Sequence, residues 1–463
     1  MRLEQLHSVY FLGIGGIGMS ALARWFMHRG MAVYGYDKTP TKLTDQLISE
    51  GMKIHFDDQV SLIAEDVKSS DKESVLVIYT PAIPKDHQEW AFFREHGYVI
   101  KKRAEVLGLI TQSLFAVGVA GTHGKTTTSS MVAHLLKVGG VNVSAFLGGI
   151  TQNYHSNLLI HEEGLEEAVA VIEADEFDRS FLHLHPNISV ITAVDPDHLD
   201  IYGDDAHIVA SFNDYAQLTS AGGELFISAN AVSRLDKAKL GEVSIKTYGI
   251  DKGDIQAKNI QIVDGVFHFD YTSDLHQISG LELLMPGYHN VENALAAISV
   301  ALSLGVSDSA IKEGISTFKG VKRRFEYVVK NNQTIYIDDY AHHPAEIDAF
   351  LKSVKAMYPN KKVTAVFQPH LFTRTRDFAA GFSESLSLAD EVVLLDIYPA
   401  RELPITGVTS EMLLEAITVP HQMSSKSNLL EDLKKNEIEV LVTIGAGDID
   451  TLVLPIKNWL ENK

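Results

Sequence analysis

Short runs of apolar residues recur along this chain, and polar turns and segments with helical apolar spacing lie between them. We predict strands for the runs at 9–12, 32–36, 75–79, 115–120, 168–172, 188–194, 334–337, 362–367, 391–397 and 439–444. Helical spacing follows the first and fourth runs, at 19–26 and 131–138. Buried strands that alternate with helices are typical of the parallel sheets of α/β proteins.

One stretch departs from this pattern. Residues 224–284 alternate polar and apolar positions, as in Val266-Phe-His-Phe-Asp-Tyr271, with turns at 251–253 and 264–265. Because a period of two is typical of strands with one solvated face, we expect a mostly antiparallel sheet beside the parallel one.

A glycine-rich turn, Gly13-Ile-Gly-Gly-Ile-Gly18, follows the first predicted strand, and the second strand ends in Asp37, where an acidic group commonly meets a ribose hydroxyl. The spacing predicts a diphosphate on the helix N-terminus, without defining what the diphosphate carries. The candidate residues are Gly15, Gly16, Ile17, Gly18, Met19 and Asp37. A dehydrogenase that binds a nicotinamide cofactor is one reading of this turn.

The third strand leads into Thr80-Pro-Ala-Ile-Pro84, at the sheet edge where ligands bind in such folds. Thr80 and Ala82 are therefore further candidates for that ligand. A turn stiffened by its prolines explains the loop equally well.

A second glycine turn, Gly121-Thr-His-Gly-Lys-Thr-Thr-Thr128, follows the strand at 115–120. Its glycines leave backbone N–H groups free to surround phosphate, Lys125 adds a full charge, and Thr126 offers the hydroxyl that such loops give to Mg²⁺. The loop is a variant P-loop, since the strict pattern has glycine where this chain has Val119. The ATP candidates here are Gly121, Thr122, His123, Gly124, Lys125, Thr126 and Thr127. The plain alternative is a turn whose lysine faces water.

Two further strand ends carry acidic residues and a histidine. The strand at 168–172 runs into Glu173-Ala-Asp-Glu176, and the strand at 188–194 runs into Asp195-Pro-Asp-His198. Parallel strands bring these ends to the edge that carries the phosphate turn, so we expect Thr126, Glu173 and His198 to serve a magnesium site. A surface acid and a hydrogen-bonded loop histidine are the alternatives.

Asn290 and Asn293 are spaced one helical turn apart, so both amides could face a purine edge. Simple capping of the helix by Asn290 is the alternative. A basic cluster at 319–324, which includes Arg324, precedes the next strand and indicates either a hinge that reaches the phosphates or a solvated run of charge.

The last third of the chain repeats the strand-then-polar pattern. Its strand ends carry Asp338-Asp-Tyr-Ala-His-His-Pro344, Gln368-Pro-His370 with Arg374 beyond, Tyr398-Pro-Ala-Arg-Glu402 and Gly445-Ala-Gly-Asp448. We expect a third αβ unit whose carboxyl edge forms a cleft with the other two.

Length and composition limit what these elements can be. A chain of 463 residues exceeds one hydrophobic core, and we predict three domains at 1–108, 109–324 and 325–463. The fold class is α/β: a Rossmann-like first domain, a central P-loop-type ATPase domain with a parallel sheet and a small antiparallel sheet, and a Rossmann-like third domain. A net charge of −20 argues against nucleic acid or an anionic membrane as the main partner.

Cysteine is absent from the sequence, so disulfides and thiolate chemistry are excluded. The N-terminus lacks a signal-peptide pattern and no apolar run approaches the ~20 residues of a membrane span, so we expect a cytoplasmic protein without stable membrane association. A monomer or weak homodimer is expected.

Two phosphate turns imply two nucleotide-type ligands, and the residues alone reach ATP-dependent transfer or ligation between domains. The motifs resemble those of the Mur ligases, in the same order and over essentially the full length, and most closely those of the alanine-adding branch. They are Gly13–Ser20, Gly121–Thr128, Glu173–Glu176, Asp197–Asp200, His289–Asn293, Asp338–Pro344 and Phe367–His370.

The resemblance implies an ATP-dependent ligase with Mg²⁺ that joins L-alanine to the lactyl carboxylate of UDP-N-acetylmuramate through an acyl phosphate, in peptidoglycan precursor synthesis. The first domain would hold the UDP portion, and ATP would lie between the second and third. By this resemblance, Lys125 would neutralise the β- and γ-phosphates, and the metal would be served by Thr126, Glu173 and His198. Adenine would be faced by Asn290 and Asn293, and ATP would also be contacted by Arg324 and Asp339. The lactyl carboxylate, the acyl phosphate and alanine would be positioned by Tyr340, His342, His370 and Arg374.

Other readings stay open at this point. A sister ligase joins a preformed tripeptide to the same UDP-sugar, although the segment from Phe367 to Arg376 favours the alanine branch. A protein of another class, a non-catalytic nucleotide sensor on the same scaffold, would not need the complete set of lysine, metal-side groups and third-domain residues.

Overall fold

The computed structural model describes residues 3–80, 83–84, 86–160, 168–196, 199–240, 242–263, 265–400 and 402–462. The chain divides into two compact units. The first unit comprises residues 1–255 with 295–314, and the second comprises 256–294 with 315–463. The predicted division into three domains stays a prediction.

The first sheet is an open, doubly wound sheet, and the first glycine turn follows its first strand. Its elements are β1 (Ser8–Leu12), α1 (Ile17–His28), β2 (Ala32–Tyr36), α2 (Lys42–Ser49), β3 (Lys53–His55), α3 (Glu65–Ser69), β4 (Val75–Tyr79), α4 (Gln88–Glu95), β5 (Val99–Lys102) and α5 (Arg103–Ser113). The five strands are parallel in the order β3-β2-β1-β4-β5. The order reverses between β1 and β4, and ligands bind outside the carboxyl ends of the strands at such a point.

Alternate residues of β1 pack on opposite faces of this sheet. Val9 and Phe11 join the core that contains Trp25 of α1, whereas Tyr10 faces the core that contains Phe93 of α4. Both sets are buried, which is why the strand reads as a continuous apolar run.

Tyr10 carries a polar group into that second core. Its hydroxyl donates to Glu89 Oε2 at 2.7 Å and lies 2.8 Å from His55 Nε2. Glu89 is 0% exposed. Burial, opposed in part by the hydrogen bond from Tyr10, raises the pKa of Glu89 to about 7.

The second sheet begins with the strand before the phosphate turn. Its elements in the first unit are β6 (Ala116–Ala120), α6 (Lys125–Val138), β7 (Val143–Phe146), β8 (Leu158–Leu159), β9 (Val169–Glu173), β10 (Ile188–Ile191), α7 (Leu199–Tyr202), α8 (Asp205–Gln217), β11 (Glu224–Ser228) and β12 (Ser244–Gly249). The strands follow the order β12-β11-β10-β6-β9-β7-β8, and they pair in parallel except for β8 against β7.

The parallel pairing of β11 and β12 restricts the antiparallel sheet predicted for residues 224–284 to the strands that follow them. Residues 225–228 of β11 are all buried, as is typical of a parallel sheet, and α8 supplies the crossover from β10 to β11. The strand predicted at 188–194 is also shorter, because residues 192–195 form a loop that bonds to the phosphate turn.

Asn157, just before β8, fastens α1 to the second sheet. Its Oδ1 accepts from Arg24 Nη1 at 2.9 Å, and its Nδ2 donates to Ile17 O at 2.5 Å and to Ser20 Oγ at 3.2 Å. The side chain is buried, so these bonds fix the start of α1 within the first unit.

The second unit begins with the antiparallel strands that the alternation predicted. They are β13 (Ile255–Val263), β14 (Val266–Thr272) and β15 (Gln277–Leu283), and the helices α9 (Tyr288–Ser303) and α10 (Asp308–Thr317) follow in the chain. Both strand pairings are antiparallel.

The last sheet has six strands. Its elements are β16 (Glu326–Lys330), β17 (Ile335–Asp339), α11 (Pro344–Met357), β18 (Val363–Phe367), α12 (Phe372–Asp377), α13 (Ala379–Leu386), β19 (Glu391–Leu394), α14 (Glu411–Leu414), β20 (His421–Met423), α15 (Leu429–Lys434), β21 (Val440–Ile444) and α16 (Val453–Glu461). The order is β16-β17-β21-β18-β19-β20, with only β16 antiparallel.

In the described ranges, no helix combines the length and the apolar character that crossing a bilayer requires.

Candidate active site

The second glycine turn joins β6 to α6 in the conformation that its glycines allow. Gly121 has φ +143° and Gly124, the N-cap of α6, has φ +79°, a region that side chains disfavour. The turn is tied to the end of β10, because Thr122 N donates to Ala193 O at 3.0 Å and Thr122 Oγ1 accepts from Asp195 N at 3.0 Å. The N-terminus of a 14-residue helix therefore opens on this turn.

Lys125, the first residue of α6, is held by the turn itself and by a carboxylate. Its Nζ donates to Gly121 O at 2.6 Å and lies 2.7 Å from Glu176 Oε2. Burial lowers the pKa of this ammonium, but the charges of Glu176, Asp175 and Glu173 outweigh it and raise the pKa overall. The lysine is therefore charged and oriented before any nucleotide arrives.

Thr126 and Glu173 come together as predicted for a metal site. Thr126 Oγ1 donates to Glu173 Oε1 at 3.0 Å, and Gly148 N donates to Glu173 Oε2 at 2.9 Å. His198, the third predicted ligand, lies outside the described residues. In the described part of the chain, no three His, Asp or Glu residues form a group that could hold a metal by themselves.

The first glycine turn gathers most of its predicted residues. Gly15 N donates to Asp37 Oδ2 at 2.7 Å, and a Cβ added at Gly13 would lie 2.6 Å from Thr80 Cγ2. Ile17 and Met19 belong to the first turn of α1. Asp37 also accepts from Thr39 N at 3.1 Å, so its carboxylate braces the turn, and a ribose contact stays a prediction. Ala82 lies outside the described residues.

In the second unit, Asn290 and Asn293 share one face of α9. Asn293 Nδ2 donates to Asn290 Oδ1 at 3.1 Å, and Asn290 Nδ2 donates to Pro286 O at 2.6 Å. Capping by Asn290 is wrong, because α9 begins at Tyr288 and the Asn290 side chain lies in its first turn as a donor.

The end of β17 carries Asp339, whose two oxygens accept from Phe325 N at 2.7 Å and Ala341 N at 2.8 Å. Burial raises the pKa of Asp339 to about 6, against the opposing charge of Arg324. This carboxylate thus fixes the chain that enters β16, and contact with ATP stays a prediction.

Beside Asp339, several polar side chains lie close to Tyr340. The guanidinium of Arg324 lies 5.0 Å from the centre of the Tyr340 ring, and Arg324 Nη1 lies 3.7 Å from Glu346 Oε1. His342 Nδ1 lies 3.0 Å from Tyr340 O and 3.3 Å from Glu346 Oε2. The ring of His370 lies 6.1 Å from that of His342. The structure therefore brings four predicted residues together at the carboxyl edge of the last sheet.

Arg374 lies in α12, which begins two residues after His370, and its side chain is buried. Its predicted role near the acyl phosphate stays a prediction.

Comparison with known protein families identifies the family of this chain. Residues 8–114 match the catalytic domain of the Mur ligase family, 119–301 match the Mur ligase middle domain, and 323–451 match the Mur ligase glutamate ligase domain. The chain belongs to the Mur ligase family. The resemblance drawn from the ordered motifs is confirmed.

Individual relatives span the whole Mur ligase chain. It is 50% identical to UDP-N-acetylmuramate–L-alanine ligase of Flavobacterium psychrophilum over 464 residues, which is 100% of both chains. It is 49% identical to the protein of the same description from Cytophaga hutchinsonii, covering 100% of this chain and 99% of the relative.

Among solved structures, the Mur ligase chain is similar to UDP-N-acetylmuramate-alanine ligase MurC of Thermotoga maritima, with TM-score 0.79 and 29% identity over 98% of this chain and 100% of that one. A murein peptide ligase of Psychrobacter arcticus has TM-score 0.70 and 23% identity over 99% of both chains, which shows the shared fold. The predicted fold class is confirmed.

Sequence reasoning missed the partners that hold the site residues of this Mur ligase. Glu176 lies within the motif Glu173–Glu176, but no pattern indicates that its carboxylate reaches Lys125. Arg323 lies in a basic run that gives it no particular role, yet its Nε donates to buried Asp338 at 3.1 Å and its Nη2 donates to Gly445 O at 2.6 Å. Arg323 also has a φ of +58° and donates from its backbone N to Glu326 Oε2 at 2.8 Å, and the sequence reveals neither feature.

Proposed function

We propose that this Mur ligase joins L-alanine to the lactyl carboxylate of UDP-N-acetylmuramate at the expense of ATP, and so makes UDP-N-acetylmuramoyl-L-alanine, ADP and phosphate. The observation that carries the proposal is an identity of about 50% over the full length to ligases of that description. Such a reaction is a step of peptidoglycan precursor synthesis. The predicted cytoplasmic location and the monomer or weak homodimer stay part of the proposal.

The chemistry has two balanced steps. A lactyl carboxylate oxygen attacks the γ-phosphorus of ATP, the bond from that phosphorus to the bridging oxygen breaks, and ADP leaves. The uncharged amine of alanine then attacks the acyl carbon, the acyl carbon–oxygen bond breaks, phosphate leaves and the nitrogen releases a proton. Neither step needs a protein nucleophile, so positioning and charge stabilisation are the work of the site.

Lys125 is suited to the charge that develops on the phosphates. Its ammonium is held at the N-terminus of α6, where backbone N–H groups also favour anions. We expect the lysine to exchange its contact with Glu176 for a phosphate oxygen when ATP binds, since both partners are anions.

The paired oxygens of Thr126 and Glu173 fit a hard cation, and Mg²⁺ bound by them would supply positive charge against the transferring phosphoryl group. The hydrogen bond from Gly148 N holds the Glu173 carboxylate in place for that role. His198 would complete this set.

In the second unit, we infer that the group around Tyr340 positions the acyl phosphate and alanine. Glu346 orients both Arg324 and His342. One oxygen of its carboxylate lies 3.7 Å from Arg324 Nη1, and the other lies 3.3 Å from His342 Nδ1. Cationic and hydrogen-bonding groups fixed in this way suit an anionic intermediate. Asn290 and Asn293 are the proposed adenine contacts.

The deciding experiment supplies ATP, Mg²⁺ and UDP-N-acetylmuramate with either alanine or the tripeptide L-alanyl-γ-D-glutamyl-meso-diaminopimelate. Phosphate release that depends on alanine supports the proposal. Turnover only with the tripeptide would reject it in favour of the tripeptide-adding ligase. No release with either amine, by a protein that still binds both nucleotides, would support a nucleotide sensor.

A further inference from the structure

Arg103 lies at the edge of the first sheet where the ligand of the glycine turn is expected. It directly follows β5, whose last residue Lys102 pairs in register with Tyr79 of β4. Tyr79 in turn pairs with Leu12 of β1, the residue before the glycine turn. Three neighbouring parallel strands therefore end level with one another, and Arg103 begins α5 at that edge.

The guanidinium of Arg103 rests directly on Gly18. A Cβ added at Gly18 would lie 2.6 Å from Arg103 Nη2, and it would lie still closer to Nε and Cζ. Contacts this short do not occur, so only glycine at position 18 lets the guanidinium reach this point. The last glycine of the turn thus makes room for a cation.

This guanidinium lacks a counter-charge in the described part of the chain. Arg103 Nε is buried and has no hydrogen-bond partner there, and no carboxylate lies within ion-pair distance of the side chain. The two lysines before it are paired, Lys101 with Glu105 at 3.8 Å and Lys102 with Asp178 at 3.4 Å. An unpaired buried donor of a charged group is costly, so a ligand that accepts hydrogen bonds would stabilise it.

The start of α1 favours an anion, beside the Asp37 carboxylate that accepts from Gly15 N. Gly16 is the N-cap of the 12-residue helix α1, and the first turn of α1 contains no acidic residue. A Cβ added at Gly16 would make only ordinary van der Waals contacts, the nearest at 3.8 Å. The partial positive charge of the helix and the planar fork of an arginine both suit phosphate oxygens.

We propose that Arg103 binds the diphosphate of the sugar nucleotide on the glycine turn, with Gly18 as the residue that allows its approach. The inference rests on the proposed function and adds to it a binding residue on α5, outside the turn. Arg103 touches the substrate away from the reacting atoms, so its loss acts on binding.

The test measures the affinity of UDP by calorimetry, in the presence of saturating ADP so that the other nucleotide turn is filled. UDP carries the diphosphate but no carboxylate, which separates the diphosphate from the lactyl group as the partner of Arg103. Arg103→Gln removes the charge and should raise the Kd of UDP by about 10- to 100-fold, the usual worth of a charged hydrogen bond. Arg103→Lys keeps the charge without the fork and should give an intermediate value.

Lys102→Gln is the matched control, because it removes a neighbouring cation that already has a partner, and it should change the Kd of UDP less than threefold. Thermal unfolding and ADP affinity of each variant report whether the fold is kept. Gly18→Ala offers a second route: it should weaken UDP binding in the native chain and weaken it much less when Arg103→Gln is already present.

Two results overturn the inference. Arg103→Gln that is folded and binds UDP within threefold of the native protein would show that the arginine does not contact the diphosphate. An effect on UDP-N-acetylmuramate without an effect on UDP would move its contact to the carboxylate. If the native protein itself fails to bind both UDP and UDP-N-acetylmuramate, the proposed function fails with it, and that outcome is distinct from the other two.

Discussion

Gly148→Ala tests whether the Glu173 carboxylate must stay where the structure holds it. The added methyl group would lie 2.5 Å from Glu173 Cδ, and it would approach both carboxylate oxygens more closely still. Gly148 has no unusual φ, so the backbone accepts alanine and the side chain of Glu173 must move. The substitution therefore displaces one proposed metal ligand without removing it.

The size of the displacement follows from ordinary contact distances. Relieving 2.5 Å to the 3.4 Å at which normal contacts begin moves the carboxylate by about 0.9 Å. A shift of that size disrupts the 3.0 Å hydrogen bond from Thr126. Misplacement by about 1 Å commonly costs about 100-fold in rate, so we expect kcat to fall by about that factor, with a higher Mg²⁺ requirement.

The assay is alanine-dependent phosphate release as a function of Mg²⁺ concentration. Unfolding in urea provides the control, and we expect a loss below about 2 kcal/mol because the carboxylate can swing away. In a Glu173→Ala background, Gly148→Ala should have almost no further effect on rate. Native kcat and Mg²⁺ dependence in Gly148→Ala, or additive losses in the double variant, would refute the reasoning.

Three further outcomes are expected. Lys125→Ala should abolish ligation and leave the affinity for UDP-N-acetylmuramate nearly unchanged, and equal loss of both in paired calorimetry and rate assays would contradict this. Because the pKa of Glu89 is raised from 4.5 to about 7, the free energy of unfolding should fall by up to about 3 kcal/mol from pH 4.5 to pH 7. Glu89→Gln should flatten this trend in urea titrations at several pH values. An unchanged dependence on pH in that variant would contradict the prediction. Asn157→Ala should lower the free energy of unfolding by about 2 kcal/mol in the same titrations, whereas a loss under about 0.5 kcal/mol would argue against its fastening role.

The sequence predicts the parallel strands well because their residues are buried on both faces. β2 and β4 match their predicted bounds, and most of the others differ by one to three residues. The predicted antiparallel sheet begins too early, at β11 and β12, since residues 225–228 of β11 are buried and these two strands pair in parallel. Polar alternation reports a solvated face and says nothing about strands beyond it.

The candidate site divides in the same way. Local chemistry marks the turns, so the positions of Gly121, Lys125 and Gly15 follow from spacing alone. Contacts between side chains distant in sequence do not, such as the one between Glu176 and Lys125. Such contacts depend on the register of neighbouring strands, which no spacing rule supplies.

The contact of Arg103 with Gly18 makes these two positions depend on each other. A larger residue at position 18 would push the guanidinium away from the glycine turn, since the end of the arginine side chain can move. A change at either position therefore alters what the other residue can do there. Gly18 is therefore constrained by Arg103 of α5 as well as by the turn in which it lies.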